Sequence, residues 1–153
     1  MPTIDPRAQP AVDAYEAFWS AASRALQAPK AAGSEYPPSA DFARYSFDPV
    51  RGQYEAYLAG LAAQRVQFRG TPPRPRVAVT SVDQAAKPYP KVVLTDCQEQ
   101  TDWNQYVTGT DRKVPVASAS VAPPYLITGT MIYYQGRWGL QSTTTATDRT
   151  CTA

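Results

Sequence analysis

The residues that could do acid–base or thiol chemistry are concentrated in one stretch of the chain, VVLTDCQEQTDW at 92–103. The stretch contains Cys97, one of only two cysteines, and the acids Asp96, Glu99 and Asp102. An apolar cavity raises the pKa of a carboxyl group, and a raised pKa suits proton transfer. Catalysis at these acids is therefore one hypothesis, and a structural or solvated role is the other.

Asp96 is the acid whose position in the pattern favours an inward side chain. Alternate residues of a strand share a face, so Asp96 lies on the same face as Val92 and Leu94. It could thus act as the base of an isomerase- or dehydratase-like enzyme. The interpretation that we favour is a carboxylate at the end of the strand that is solvated or accepts a hydrogen bond from a loop, because most acids lie at the surface. Glu99 and Asp102 fall in a polar turn and are predicted to be solvated.

The composition excludes several classes of chemistry. The 153 residues include no histidine, which removes the Ser-His and Cys-His pairs and leaves too few ligands for a zinc site. The glycines form neither dinucleotide nor P-loop motifs, and we predict no cofactor or metal. A balance of 15 basic and 13 acidic residues gives no indication of nucleic-acid binding. No apolar run is long enough for a transmembrane helix.

The two cysteines, Cys97 and Cys151, are predicted to form a disulfide. Two unrelated buried thiols are the alternative, but Cys151 lies in the polar tail TTTATDRTCTA, where nothing else would hold it in place. A disulfide implies an oxidising, extracytoplasmic compartment. Residues 1–9 are predicted to be a linker and residues 10–153 a single domain.

Helical periodicity occupies the first half of the chain. A helix is predicted over 10–28, a short helix capped by Ser39 over 39–45, and a third helix from Asp48-Pro49 to about Phe68 that Gly70 ends. The side chains predicted to face the core share spacings of three and four, and they are Val12, Tyr15, Phe18, Trp19, Ala22 and Leu26, then Val50, Tyr54, Tyr57, Leu58 and Leu61.

The second half predicts strands. They begin with the valine-rich segment at 77–82, and later strands follow at 91–98 and from Trp103 to Val107. YLITGTMIYY and RWGLQSTTT form a hairpin around Gln135-Gly136. Helices followed by four or five antiparallel strands indicate an α+β fold.

This order, together with TSVD, VVLTDC, Trp103, GRWGLQS and a terminal cysteine, resembles a known group. It is similar to the secreted or lipid-anchored nuclear-transport-factor-like (SnoaL-like) domains of actinobacterial envelopes. The resemblance implies helices on a curved antiparallel sheet that forms a cystatin-like cone with one open end. The chain departs from the group at 115–126, where prolines make a strand start at about Tyr125.

Three functions follow from these observations. The favoured one is a non-catalytic extracytoplasmic domain that binds a protein partner in the cell envelope, with an accessory, assembly or immunity-type role. The alternatives are a binder of a small apolar ligand in the cone and the enzyme with Asp96 as base. Proline-flanked loop tyrosines are the candidate partner surface: Tyr36, Tyr89 and Tyr125. The candidate cavity residues are Tyr15, Trp19, Asp96, Trp103, Tyr106 and Tyr133.

Overall fold

The chain folds as two helices on antiparallel sheets of two and four strands, which confirms the α+β class with helices before strands. The computed structural model describes residues 3–115 and 125–151. The elements are α1 (Gln9–Gln27), two short 3₁₀ helices (Pro38–Ala40 and Phe42–Tyr45), α2 (Val50–Gln64), β1 (Val66–Gly70), β2 (Val77–Asp83), β3 (Lys91–Cys97), β4 (Trp103–Val107), β5 (Tyr125–Tyr134) and β6 (Arg137–Thr150).

The strands divide between two sheets. The larger has the order β2-β3-β5-β6, and the smaller pairs β1 with β4. The small sheet exists because α2 ends at Gln64, where Arg65 takes the left-handed conformation with φ of 55°. The predictions that this helix reaches Phe68 and that Gly70 ends it were wrong. Gly70 ends β1, where a Cβ would collide with the carbonyl oxygen of Asp102.

Helix α1 carries the centre of the core. Its buried face includes Val12, Tyr15, Phe18 and Leu26, as the periodicity predicts. Alanines between these side chains are also buried, and their small size brings the helix close to its neighbours. The ring of Phe18 lies 5.2 Å from that of Tyr54 in α2, edge to face, which joins the two helices.

The second helix departs from its predicted pattern at its start and in its middle. Tyr57, expected in the core, is 45% exposed. The N-cap residue is Pro49 and not Asp48 as expected, although the Asp48 carboxylate still accepts a hydrogen bond from a first-turn N–H, that of Gly52, at 3.0 Å. The short helix predicted at 39–45 is two 3₁₀ helices, and Ser39 makes no capping bond.

Two segments border residues that the structure does not describe. Strand β5 is described from Tyr125 onward, and the irregular segment predicted before it lies largely at 116–124, outside the described residues. Within the predicted linker at 1–9, Ala8 is fully buried and Ile4 packs against the core, whereas Met1 and Pro2 lie outside the described residues.

The β5–β6 hairpin turns at the predicted dipeptide. Gln135 and Gly136 have φ angles of 53° and 77°, the pair of left-handed residues that a two-residue hairpin turn needs. Phe47 packs beside β6, because its backbone N–H donates to the Leu140 carbonyl at 2.9 Å. Its ring covers Gly139, where no side chain would fit.

The predicted disulfide is confirmed. Cys97 and Cys151 are joined, with their Cα atoms 5.8 Å apart. Cys97 ends β3 and Cys151 follows β6, and β5 lies between these strands. The disulfide therefore links the end of β3 to the end of β6 across the strand between them, β5.

We expect reduction of this disulfide to lower the free energy of unfolding by about 4 kcal/mol, because a cross-link between residues 54 apart restricts the unfolded chain. Urea unfolding with and without reductant measures the change. The double variant Cys97→Ser/Cys151→Ser should match the reduced protein and be insensitive to reductant. Equal stability of the oxidised and reduced forms would contradict the expectation.

The close packing at Gly139 makes a second prediction. A Cβ there would lie 2.6 Å from Cε2 of Phe47, so Gly139→Ala must displace that ring and should cost about 1–3 kcal/mol of stability. The matched control is Gly60→Ala in α2, which meets no atom within 4 Å and should stabilise the protein by about 0.5–1 kcal/mol. Thermal unfolding of both variants checks the opposite signs.

Candidate functional site

Among the residues that the structure describes, Asp96 is the buried acid, with a relative exposure of 0%. Its Oδ1 accepts a hydrogen bond from Arg76 N at 2.7 Å. Its Oδ2 accepts from the Tyr15 hydroxyl at 2.8 Å and from Gln98 Nε2 at 3.3 Å. The predicted face of Asp96 is thus confirmed. Of the two parts of the favoured interpretation, the solvated carboxylate was wrong, because α1 covers this end of β3, whereas the hydrogen bond from a loop is present, since Arg76 lies just before β2.

The local sequence explains how these groups meet. Val77 pairs with Asp96 across β2 and β3, which places the N–H of the preceding residue, Arg76, beside the carboxylate. Tyr15 reaches the Asp96 carboxylate from α1, and the residue of β5 that lies under its ring is Gly129. A Cβ at Gly129 would lie 3.2 Å from Cε2 of Tyr15, so the absent side chain makes room for the ring.

Burial dominates the electrostatics of the pair. Desolvation raises the pKa of Asp96, and the hydrogen bonds from Arg76, Tyr15 and Gln98 oppose that rise. Desolvation also raises the pKa of Tyr15 far above its usual range, with the Asp96 charge adding to the effect. Tyr15 therefore remains a protonated donor at every physiological pH. The pKa of Glu16 is raised by burial, and Asp13 and Asp96 add to this rise.

The space between helix and sheet is filled. Tyr15 and Phe18 are fully buried from the side of α1, and Met131 and Leu140 are fully buried from the side of the sheet. Trp19 packs edge to face against Phe18 with ring centroids 5.4 Å apart. A substrate would have to displace these side chains to reach Asp96. The arrangement therefore suits a structural role of Asp96 better than a catalytic one.

The other predicted cavity residues do not join Asp96. Trp103 stacks on Phe68 in the small sheet with centroids 5.4 Å apart, and Tyr106 lies under the guanidinium of Arg69. Both belong to β4, which does not pair with the strand of Asp96. Tyr133 is 42% exposed.

The position of Tyr133 follows from the register of the large sheet. Asp96 pairs with Ile127, and Tyr133 lies six positions further along β5. At the rise of an extended strand this is about 20 Å. The sequence pattern predicts that Tyr133 lies in a strand. Its distance from Asp96 depends on the register between β3 and β5, which the pattern does not give.

The predicted partner-surface tyrosines are all partly buried. The Tyr36 hydroxyl accepts a hydrogen bond from Lys30 N at 2.7 Å, and its ring packs on Phe42. Tyr89 packs on Tyr134 with centroids 5.0 Å apart, and Tyr125 begins β5. The large exposed hydrophobic side chains among the described residues are Tyr57, Tyr133 and Tyr134.

Glu99 and Asp102 lie in the turn after β3, as predicted. Glu99 forms an ion pair with Arg76 at 2.7 Å, and this contact lowers the pKa of Glu99. Asp102 is exposed, and its carboxylate accepts a hydrogen bond from Asn104 Nδ2 at 3.1 Å.

Two further findings concern the part of the chain that the structure describes. No group of three or more acidic, cysteine or histidine side chains is placed there so that it could hold a metal ion. None of its helices has the length and apolar character needed to cross a membrane.

Comparison with known proteins gives a likeness in structure. No family model matches the sequence, and no curated protein matches it. Among solved structures, the fold is similar to the intermembrane-space region of the chloroplast protein ARC6, with a TM-score of 0.50 and 11% identity. The match covers 94% of this chain and 98% of that one. At this identity the likeness shows the fold alone.

The raised pKa of Asp96 makes stability depend on pH in a defined direction. A carboxyl group with a higher pKa in the folded state binds its proton more tightly when folded, so its contribution is present at low pH and lost as pH rises. From about pH 4 to pH 7, the free energy of unfolding of the wild type should therefore fall relative to that of Asp96→Asn. Urea unfolding at several pH values measures the difference.

The wild type and Asp96→Asn share all other titrating groups. The contributions of those groups to the pH dependence therefore cancel in the difference between the two proteins. Tyr15→Phe is the companion variant, because it removes a donor that lowers the pKa of Asp96. The pH-dependent loss should then extend to higher pH. Parallel stability curves for the wild type and Asp96→Asn would show that the pKa of Asp96 is not raised by folding.

Proposed function

We propose that this chain is a non-catalytic extracytoplasmic domain that binds a protein partner in the cell envelope. The observation that carries the proposal is the filled interior around Asp96. A domain with this fold that used an internal cavity would need space there, and Tyr15, Phe18 and Trp19 occupy that space. Binding at the outer surface is then the function that the geometry supports best.

The disulfide supports an extracytoplasmic location. Bonds such as Cys97–Cys151 form and persist in oxidising surroundings outside the cytoplasm. The similar solved structure is described as an intermembrane-space region, which agrees with an envelope location. A secreted form and a lipid-anchored form both fit this proposal. Membership of the nuclear-transport-factor-like group belongs to it as well, supported by the order of helices and strands.

A proton-transfer enzyme is the second candidate, because Asp96 is a buried carboxyl with a raised pKa beside a tyrosine. Against this candidate, three donors engage the carboxylate and Tyr15 is fully buried. A catalytic base needs hydrogen-bond reach to a substrate proton. Here the oxygens of the Asp96 carboxylate already accept hydrogen bonds from groups of the protein itself.

Affinity capture from the native envelope tests the proposal. The tagged, oxidised chain should retain a defined protein, and the reduced and alkylated chain, which has lost its fold constraint, should not. Asp96→Asn should retain the same protein in the same amount, because the carboxylate is buried away from any partner. Quantitative mass spectrometry of the retained fraction gives the readout.

Other outcomes would count against the proposal. Enrichment of no protein over the reduced control would oppose partner binding. A small apolar molecule that copurifies with the native chain would favour the ligand-binding alternative. If deletion of the gene gives a growth defect that the wild-type chain rescues and Asp96→Asn does not, with capture unchanged, the enzyme is favoured.

A further inference from the structure

The large sheet has an open edge at β2, which is the first strand in the order β2-β3-β5-β6. The opposite edge is partly covered, because Ser46 pairs with Leu140 of β6 and the Phe47 N–H donates to the Leu140 carbonyl. A groove of about 320 Å³ separates β2 from the segment between Thr3 and Arg7, and the described residues form no backbone hydrogen bond across it. The outer side of β2 is therefore unpaired within residues 3–115 and 125–151.

The backbone of β2 turns alternate residues toward this open edge. The Arg76 carbonyl accepts a hydrogen bond from the Cys97 N–H at 3.1 Å, so the backbone of Arg76 faces β3. Backbone groups in an antiparallel strand alternate between its two sides. Val77 and Val79 therefore direct their N–H and C=O groups away from β3, toward the open edge.

A bulge changes this alternation in the second half of the strand. The register between β2 and β3 shifts around Thr80, which is the additional residue. Beyond it, Val82 pairs with Val92, and Val92 lies an odd number of residues before Cys97. The backbone of Val92 therefore faces β5, and that of Val82 faces the open edge.

The bulge makes the two ends of β2 equivalent. Val77 and Val82 both direct their backbone groups outward, and the side chains of both are partly buried against the core. In a strand without a bulge, residues an odd number of positions apart would face opposite ways. Two β2 strands can consequently lie antiparallel with Val77 of each opposite Val82 of the other, and each such pair exchanges both of its N–H···O bonds.

We propose that two copies of this chain dimerise by antiparallel pairing of their β2 strands in this register. The large sheets of the two copies then form one continuous sheet. Ala78 lies opposite Ser81 of the second copy on the outer face, and both side chains are exposed in the single chain. This inference goes beyond the proposed function and does not depend on it.

Charges at the ends of β2 agree with the proposed register. It brings Arg76 of each copy opposite Asp83 of the other, which is a favourable cross-strand pair. Arg76 already contacts Glu99 through Nη2 at 2.7 Å, but these side chains are 43% and 41% exposed, so a second carboxylate can reach the guanidinium from the solvent. Asp83 forms no ion pair among the described residues, although Lys91 lies opposite it in β3.

A second copy fits this edge better than an extended segment of another protein, because the pairing is self-complementary. It sets valine against valine on the core side, alanine against serine on the outer side and arginine against aspartate at the ends. Twofold pairing also uses the open β2 edge of both copies, so assembly stops at a dimer. The contact of one strand pair is smaller than the roughly 1,200–2,000 Å² of stable interfaces, so the dimer should dissociate reversibly at micromolar to millimolar concentrations.

Sedimentation equilibrium between about 10 μM and about 1 mM tests the inference, and the wild type should show a monomer–dimer equilibrium in this range. Ala78→Lys/Ser81→Lys sets like charges directly opposite each other and should weaken dimerisation by at least about tenfold. Ala78→Lys/Ser81→Glu is the matched control. It changes the same two exposed positions but sets opposite charges against each other, and it should dimerise at least as well as the wild type.

Mixing two variants tests the register. Ala78→Lys/Ser81→Lys and Ala78→Glu/Ser81→Glu should each be mainly monomeric alone at a concentration at which the wild type dimerises, whereas their equimolar mixture should form a dimer. Circular dichroism confirms that each variant is folded.

Three results would overturn the inference: a wild type that remains monomeric at about 1 mM, equal dimerisation by the Lys/Lys variant and its matched control, or the absence of a mixed dimer. A monomeric wild type that still retains a partner in envelope capture would overturn this inference and leave the proposed function standing.

Discussion

The hydrogen bond between Tyr15 and Asp96 is the contact on which the arrangement of helix and sheet depends. It joins α1 to β3 in the core, and the N–H of Arg76 brings β2 to the same carboxylate. A buried carboxylate without partners costs several kcal/mol, so the helix and both strands must be in place before its burial is tolerable. The polar group thereby favours one relative position of three elements, which apolar packing alone would specify less sharply.

The same contact fixes the register of β3. A slip by one residue would turn Asp96 outward and bring Val93 and Thr95 to the face that Val92 and Leu94 now occupy. Tyr15 would then lose its acceptor in an apolar environment. The disulfide reinforces this register from the end of the strand, because Cys97 is the next residue and is joined to Cys151 beyond β6. Electrostatic and covalent constraints thus act on adjacent residues.

The parts of this structure that the sequence predicts depend on local patterns. The face of α1, the hairpin turn at Gln135-Gly136 and the alternation around Asp96 follow from periodicity or backbone preference. The parts that pattern analysis missed depend on contacts between distant residues. No glycine or proline marks the end of α2 in the sequence, and the left-handed residue there is Arg65, after which the chain becomes a strand by pairing with β4. Similarly, the burial of Asp96 depends on α1, which lies 81 residues earlier in the chain.

The distribution of tyrosines separates the two ends of the large sheet. Near the disulfide, a tyrosine hydroxyl is used inside the protein, where it donates to Asp96. At the turn of the hairpin, two tyrosines remain exposed although neighbouring rings pack against them. Exposed apolar surface brings no stability to the isolated domain, whereas ordering those rings costs conformational entropy. The two ends of the large sheet therefore use tyrosine differently: one hydroxyl is buried and hydrogen-bonded to Asp96, whereas two rings at the hairpin stay exposed and pack on other rings.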